Sequence, residues 1–311
     1  MNRVFQKVFP LGFPPSLLLC LLSCPVMSVA QVIQATVIPV PSSGSIGPTW
    51  SQIPFSGYYL QDVPPTRFQQ VYSASSFASA IPHGGWISSL WFIGEPTVNR
   101  YWNAYLPRVE ILVTVTPRNP DELSTRFADN LGSNVVTVHP LGPLFLGSSP
   151  GATAYIGFQT PFFYNPSNGN LLVEIKNFDL PSTPENPQTT PGPLDAYDVV
   201  GDPISRVYAR GDANATNGIA DTLGLTTFFV VVPVPKLVVS LQSTNLVIRW
   251  PLGLVEFTLQ QSPVLGSGVS WQPAGGIVTT NRTTSGTDEI AIVLPVDRQS
   301  SARFFRLISQ P

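Results

Sequence analysis

The chain is poor in charge. Of its 311 residues only 16 are Lys or Arg and 18 are Asp or Glu. Lysine stands at Lys7, Lys176 and Lys236 alone, so no basic stripe exists to follow a phosphate backbone, which argues against nucleic acid as a partner. Cysteine is as scarce. Cys20 and Cys24 are the two present, and both fall within the first thirty residues. Histidine is limited to His83 and His139, so a histidine-based triad or metal site would have to use one of these two. Long helical periodicity is missing too, while 33 prolines and 24 glycines are scattered rather than repeated. That composition suits many short strands joined by turns.

The first thirty residues have the layout of an export signal. Arg3 and Lys7 supply the positive start, Leu17 to Leu22 the apolar centre, and Ser28-Val29-Ala30 the small residues that a signal peptidase reads. Cleavage after Ala30 makes Gln31 the mature start, and the apolar run is too short and too interrupted by proline to form a stable membrane span. A rival reading takes Leu21-Leu22-Ser23-Cys24 as a lipobox, in which Cys24 would be acylated and anchor the chain to lipid. With cleavage after Ala30 the mature chain carries no thiol, which removes disulfides, thiolate metal sites and cysteine nucleophiles together. Its charge is then fourteen basic against eighteen acidic residues.

Strand-like runs dominate the mature chain. Residues 31–54 are a Pro, Ser and Gly-rich extended segment in which Thr36 to Val40 is an edge-strand candidate, because Pro39 cannot donate to a ladder. Eight runs with period-two alternation and turn signals between them occupy residues 55–232, from "FQQVYS" to "LTTFFVVV", which predicts an all-β, jelly-roll-like sandwich. "FYNPSNGNLLVEI" is turn chemistry followed directly by alternation, so Asn165 to Asn170 is expected to set a hairpin and its register. One short helix is expected from Asn119, with Pro120 in its first turn, Leu123 and Phe127 on one face and Gly132 beyond its end. Pro233 to Pro235 forms a stiff linker, and residues 236–311 carry six or seven short strands suited to a smaller immunoglobulin-like or fibronectin type III-like sandwich. Its expected core holds Trp250, Phe257, Leu259, Trp271 and Phe305.

"RFQQVYSASSF", "DELSTRFADNLGSN", "TPFFYNPSNGNLLVEI", "SRVYA" and "ADTLGLTTFF" together resemble a domain of exported bacterial proteins, many of which end in a PEP-CTERM sorting tail. The tail block, with "FTLQQS", "SW" and "RFFRL", is similar to the immunoglobulin-like modules that close many secreted proteins of Planctomycetes and Verrucomicrobia. The likeness implies an exported protein of the cell envelope or extracellular matrix. It brings no catalytic motif that could be placed on numbered residues, and residues 236–311 stand where the first group carries its sorting tail.

Candidate chemistry is sparse. "GSSPG" has the spelling of a hydrolase nucleophile elbow at Ser149, but a strand comes next where that motif needs a helix. Asp195, Asp198 and Asp202 lie close in sequence and are candidate calcium ligands, against the alternative that they cap turns through their own backbone. Tyr101, Trp102 and Tyr105 are assigned to the connection before a strand, where flat rings would stack on sugars. Trp86 and Trp91 differ in strand parity, so one is expected to face inward and the other outward. Three functions stay open: a non-enzymatic structural or adhesive envelope protein, a carbohydrate-binding protein with polysaccharide as partner, and a secreted hydrolase.

Intact-mass measurement of exported protein is expected to give a chain beginning at Gln31. A diacylglycerol-modified Cys24 would establish the lipoprotein instead.

Overall fold

A computed structural model describes residues 4–10, 35–42, 47, 49–55, 65–94, 102–148, 153–179, 193–252, 257–265, 269–282, 288–296 and 302–309. Cys20, Cys24, Ala30, Gln31, Tyr101 and Ser149 lie outside these residues. Val4–Pro10 (β1) is a strand. The body then contains Thr36–Val40 (β2), Thr49–Ser51 (β3), Thr66–Tyr72 (β4), Gly85–Ile93 (β5), Trp102–Thr116 (β6), Val136–Ser148 (β7) and Thr153–Tyr164 (β8). It continues with Asn170–Asn177 (β9), Leu194–Asp198 (β10), Ile204–Arg210 (β11), Ile219–Asp221 (β12), Leu223–Leu225 (β13) and Thr227–Pro233 (β14).

Antiparallel pairing builds a six-stranded sheet in the order β12-β11-β4-β9-β6-β7 and a four-stranded sheet in the order β2-β14-β5-β8. A small sheet, β13-β10-β3, adds to them. The alternation seen in sequence is what buries one face of each sheet. Phe68 and Tyr72 of β4, Val173 and Ile175 of β9 and Ile111 and Val113 of β6 join Leu90 and Phe92 of β5 and Phe229 and Val231 of β14 in one buried cluster. The short helix Ser75–Ala78 (α1) adds Phe77 to it. The Phe77 ring meets Tyr164 edge-on at 5.1 Å and Phe229 at 5.3 Å, and Phe229 in turn meets Tyr72 at 4.8 Å. Phe229 thereby links Phe77 and the four-stranded sheet to Tyr72 of the six-stranded sheet.

Two expectations require correction. No helix begins at Asn119. Asp121 has φ of 64°, a left-handed conformation that ends any helix, and its backbone N–H donates to the Ser205 hydroxyl at 2.7 Å. Leu123 and Phe127 are nevertheless buried together, packed with Val71, Leu172 and Val207 on the far side of the six-stranded sheet from the main core. Only Phe127–Asn130 makes a helical turn, of 3-10 type.

The turn after β8 is likewise no hairpin, because β8 belongs to the four-stranded sheet and β9 to the six-stranded one. It is a corner that carries the chain between sheets. The Asn165 side chain accepts the Ser167 N–H at 3.0 Å, and Gly169 has φ of 130°. A Cβ at Gly169 would also stand 3.0 Å from the Thr116 carbonyl oxygen, so glycine answers both the backbone angle and the space. The Tyr164 hydroxyl donates to the Gly169 carbonyl at 2.9 Å and closes the corner.

The chain divides into two units, Ala35–Pro233 and a second that joins Val234–Pro311 with the residues before Ala35. Beyond Pro233 run Val238–Gln242 (β15), Asn245–Pro251 (β16), Phe257–Ser262 (β17), Gln272–Pro273 (β18), Ile277–Arg282 (β19), Asp288–Pro295 (β20) and Ala302–Ser309 (β21). Together with β1 they form two further antiparallel sheets, β15-β16-β20-β19 and β1-β21-β17-β18. Trp250, Phe257, Leu259 and Phe305 are buried. Trp271 is only half-buried, with the Arg306 guanidinium 4.4 Å above its ring. Among the described residues no helix is long and apolar enough to cross a membrane.

Phe77→Ala is expected to lower unfolding free energy by about 3–5 kcal/mol, since it leaves a cavity between the sheets. Chemical denaturation followed by tryptophan fluorescence measures it, and a loss below about 1 kcal/mol would mean that the ring is not a core anchor.

Candidate functional site

Aromatic side chains gather on the outer face of the four-stranded sheet. Cα register aligns Pro39 of β2 with Phe228 of β14, Phe228 with Trp91 of β5, and Trp91 with Tyr155 of β8. The Trp91 and Phe228 rings are parallel within 8°, with centroids 5.4 Å apart. Further along the same strands Trp86 meets Phe163 at 5.1 Å. Trp86 and Trp91 therefore share the outer face, against the parity expectation. Against β14, Val230 faces Ser89 and Val231 faces Ile87, so Ser88 is an extra residue in β5 and shifts its alternation by one.

Tyr155 is 54% exposed, the most open ring of the group. Its Cε1 and hydroxyl oxygen lie 3.4 and 3.6 Å from where a Cβ on Gly157 would stand, so the ring extends along β8 over bare backbone. None of β2, β5, β8 and β14 contains an Asp, Glu, Lys, Arg or His. The six-stranded sheet holds the opposite composition. Arg67 pairs with Glu174, Lys176 with Glu110 at 2.9 Å, and Arg206 makes a two-pronged contact with Asp221 at 2.8 and 3.0 Å.

Of the aromatic trio expected from sequence, Tyr101 lies outside the described residues and the other two fall elsewhere. Trp102 opens β6, aligned with Ser148, and Tyr105 lies within the same strand rather than in a loop. The Tyr105 ring, 43% exposed, rests against the 71% exposed Phe145 of β7 at 4.7 Å. Sequence reasoning does not single out Tyr155, Phe163 and Phe228. Their signal lies in "TAYIGFQTPFFY" and "TTFFVVV", strands that offer large apolar residues at both parities and no charge at either.

The three aspartates do not converge. Asp195 is buried and its two oxygens accept from the Gly47 N–H at 2.8 Å and from the Thr226 hydroxyl. Asp198 accepts from the Thr222 hydroxyl. Asp202 accepts the Ile204 N–H at 2.9 Å in a tight turn, while its second oxygen is buried without a partner among the described residues. Among the described residues no three His, Cys, Asp or Glu side chains are grouped so as to hold a metal ion.

His83 is exposed in a turn, whereas His139 is buried within β7, not in a turn, and aligned with Ile111. Burial pushes the His139 imidazole below its ordinary range, opposed by the hydrogen bond the ring donates to the Gly142 backbone, so it stays neutral near pH 7. An open hollow of about 520 Å³ is lined by Thr116, Asn134 and Asn168 among other uncharged residues, without a titratable group. No protein-family model matches this chain, and no curated protein matches it.

Burial raises the Asp202 carboxyl to about 6, aided by the neighbouring Asp121 and Asp198 charges and opposed by the Ile204 N–H. A raised carboxyl means that the folded chain binds the proton more tightly than the unfolded one. Stability is then highest at about pH 4 and below, falls as pH rises towards about 6, and stays lowered above it. Asp202→Asn keeps the acceptor for Ile204 and removes the titration. Thermal melts should show the variant's midpoint drawing ahead of the wild type between pH 4 and pH 6 and then running parallel. Equal midpoints at pH 7 would mean that Asp202 ionises without penalty.

Proposed function

We propose that this is an exported, non-enzymatic protein of the bacterial cell envelope or extracellular matrix, adhering through the outer face of the β2-β14-β5-β8 sheet. The observation that carries this reading is the uncharged, aromatic character of that face. The solvent side of an antiparallel sheet ordinarily alternates into polar and charged residues, whereas these four strands carry no charged residue, and the six-stranded sheet of the same body holds three ion pairs. Rings placed at the solvent side serve recognition, because core packing does not require them there.

The body is read as a jelly-roll-like sandwich of the PEP-CTERM-associated kind and the tail as an immunoglobulin-like module, in keeping with the motif resemblance. A leader ending at Ala30 supplies the export route. Polysaccharide and other matrix components are the partners this reading favours over a chemical substrate.

Fractionation of producing cells is expected to recover the protein with envelope or matrix material. Combining Tyr155→Ala with Val37→Ser should release about ten-fold more of it into the medium, as loss of a central contact does. Equal retention of variant and wild type would overturn this function.

A further inference from the structure

We infer that the row Pro39–Phe228–Trp91–Tyr155 is a binding platform for an uncharged polysaccharide chain, an assignment that rests on reading this face as the adhesive surface. The row runs across the strands, not along them. Adjacent strands are about 4.8 Å apart, so Phe228, Trp91 and Tyr155 span about 10 Å, a length suited to two linked sugar rings. Pyranose rings present flat C–H faces bordered by hydroxyl edges. Aromatic rings stack on the faces, and the Tyr155 hydroxyl offers both a donor and an acceptor to an edge.

The absence of charge selects within the glycans. With no Lys, Arg or His in the four strands, a uronic acid polymer or a nucleic acid would leave its anions unpaired on this sheet. A cationic partner would lack carboxylates for the same reason. A second protein is disfavoured by extent. Pro39, Phe228, Trp91 and Val230 are already half-buried, leaving Tyr155 and Val37 as the open apolar positions. A stable protein interface buries roughly 800 Å² per partner, well beyond what this row exposes. A narrow line of rings instead suits a linear occupant that meets each ring in turn.

Tyr155 is the residue that separates binding from packing. It is the most exposed ring of the row and lies over Gly157, where a larger side chain would displace it without removing it. Native affinity electrophoresis of the full mature chain tests the assignment, with gels containing hydroxyethylcellulose, glucomannan or xylan and control gels containing alginate. The wild type should be retarded by at least one neutral polymer and not selectively by alginate. Tyr155→Ala and Gly157→Val should each weaken retardation ten-fold or more with an unchanged melting midpoint, while Tyr155→Phe retains most of it.

Retardation unaffected by Tyr155→Ala, retardation by alginate alone, or no retardation by any neutral polymer would each overturn the assignment. So would concentration-dependent sedimentation abolished by Tyr155→Ala, which would give the face to a second copy of the chain. If Tyr155→Ala releases the protein from cells yet no neutral polymer retards the wild type, the adhesive reading stands and the glycan class fails. If neither retention on cells nor retardation depends on Tyr155, both fail.

Discussion

A strand that stops inside a sandwich leaves N–H and C=O groups that water cannot reach, and the body is organised around meeting that demand with side chains. Gln70 is the central case. Its side-chain carbonyl accepts the Leu225 N–H at 2.7 Å and its amide donates to the Leu225 carbonyl at 2.9 Å, so one carboxamide replaces a neighbouring strand. Asp195 does the same for Gly47 N–H, and Asn134 for Val115 N–H at 3.0 Å. Asn170 accepts from the Ala74 N–H and donates to the Arg118 carbonyl, each at 2.8 Å. The short β13-β10-β3 sheet and the long irregular segment between β6 and β7 rely on these substitutes.

That reliance explains which parts of the chain are legible in sequence. The long strands β4, β5, β8, β9, β11 and β14 are runs of seven or more residues rich in β-branched and aromatic types between turn signals, and that composition at that length reads as strand. The Asn119 segment offers capping residues and a shared face for Leu123 and Phe127 that a helix would also have. Contacts distant in sequence decide it instead, with Ser205 holding the Asp121 N–H and Gly201 donating to the Asp121 carboxylate at 2.7 Å. Turn residues at Asn165 to Asn170 state that the chain reverses, but a tight turn has the same composition whether its strands pair or part into two sheets.

The aromatic face is hidden for a related reason. Trp86 and Trp91 are five residues apart, and period-two counting separates them. The extra residue at Ser88 reunites them, and nothing in two consecutive serines announces a bulge. The aspartates do not act as a group because proximity in sequence is a poor guide where strands alternate. Asp195 points into the body to serve Gly47 and Thr226, and Asp198 and Asp202 serve other partners.

A sheet without charge on any strand carries a hazard that its proline answers. Open edges of flat, neutral, ring-rich sheets are templates on which further copies add strand to strand, and charge is the common deterrent. The β2 edge has no such deterrent, but it contains Pro39. Lacking an N–H, Pro39 interrupts the ladder an incoming strand would need. The residue that marks β2 as an edge in the sequence thus also denies this uncharged sheet a further strand at that edge.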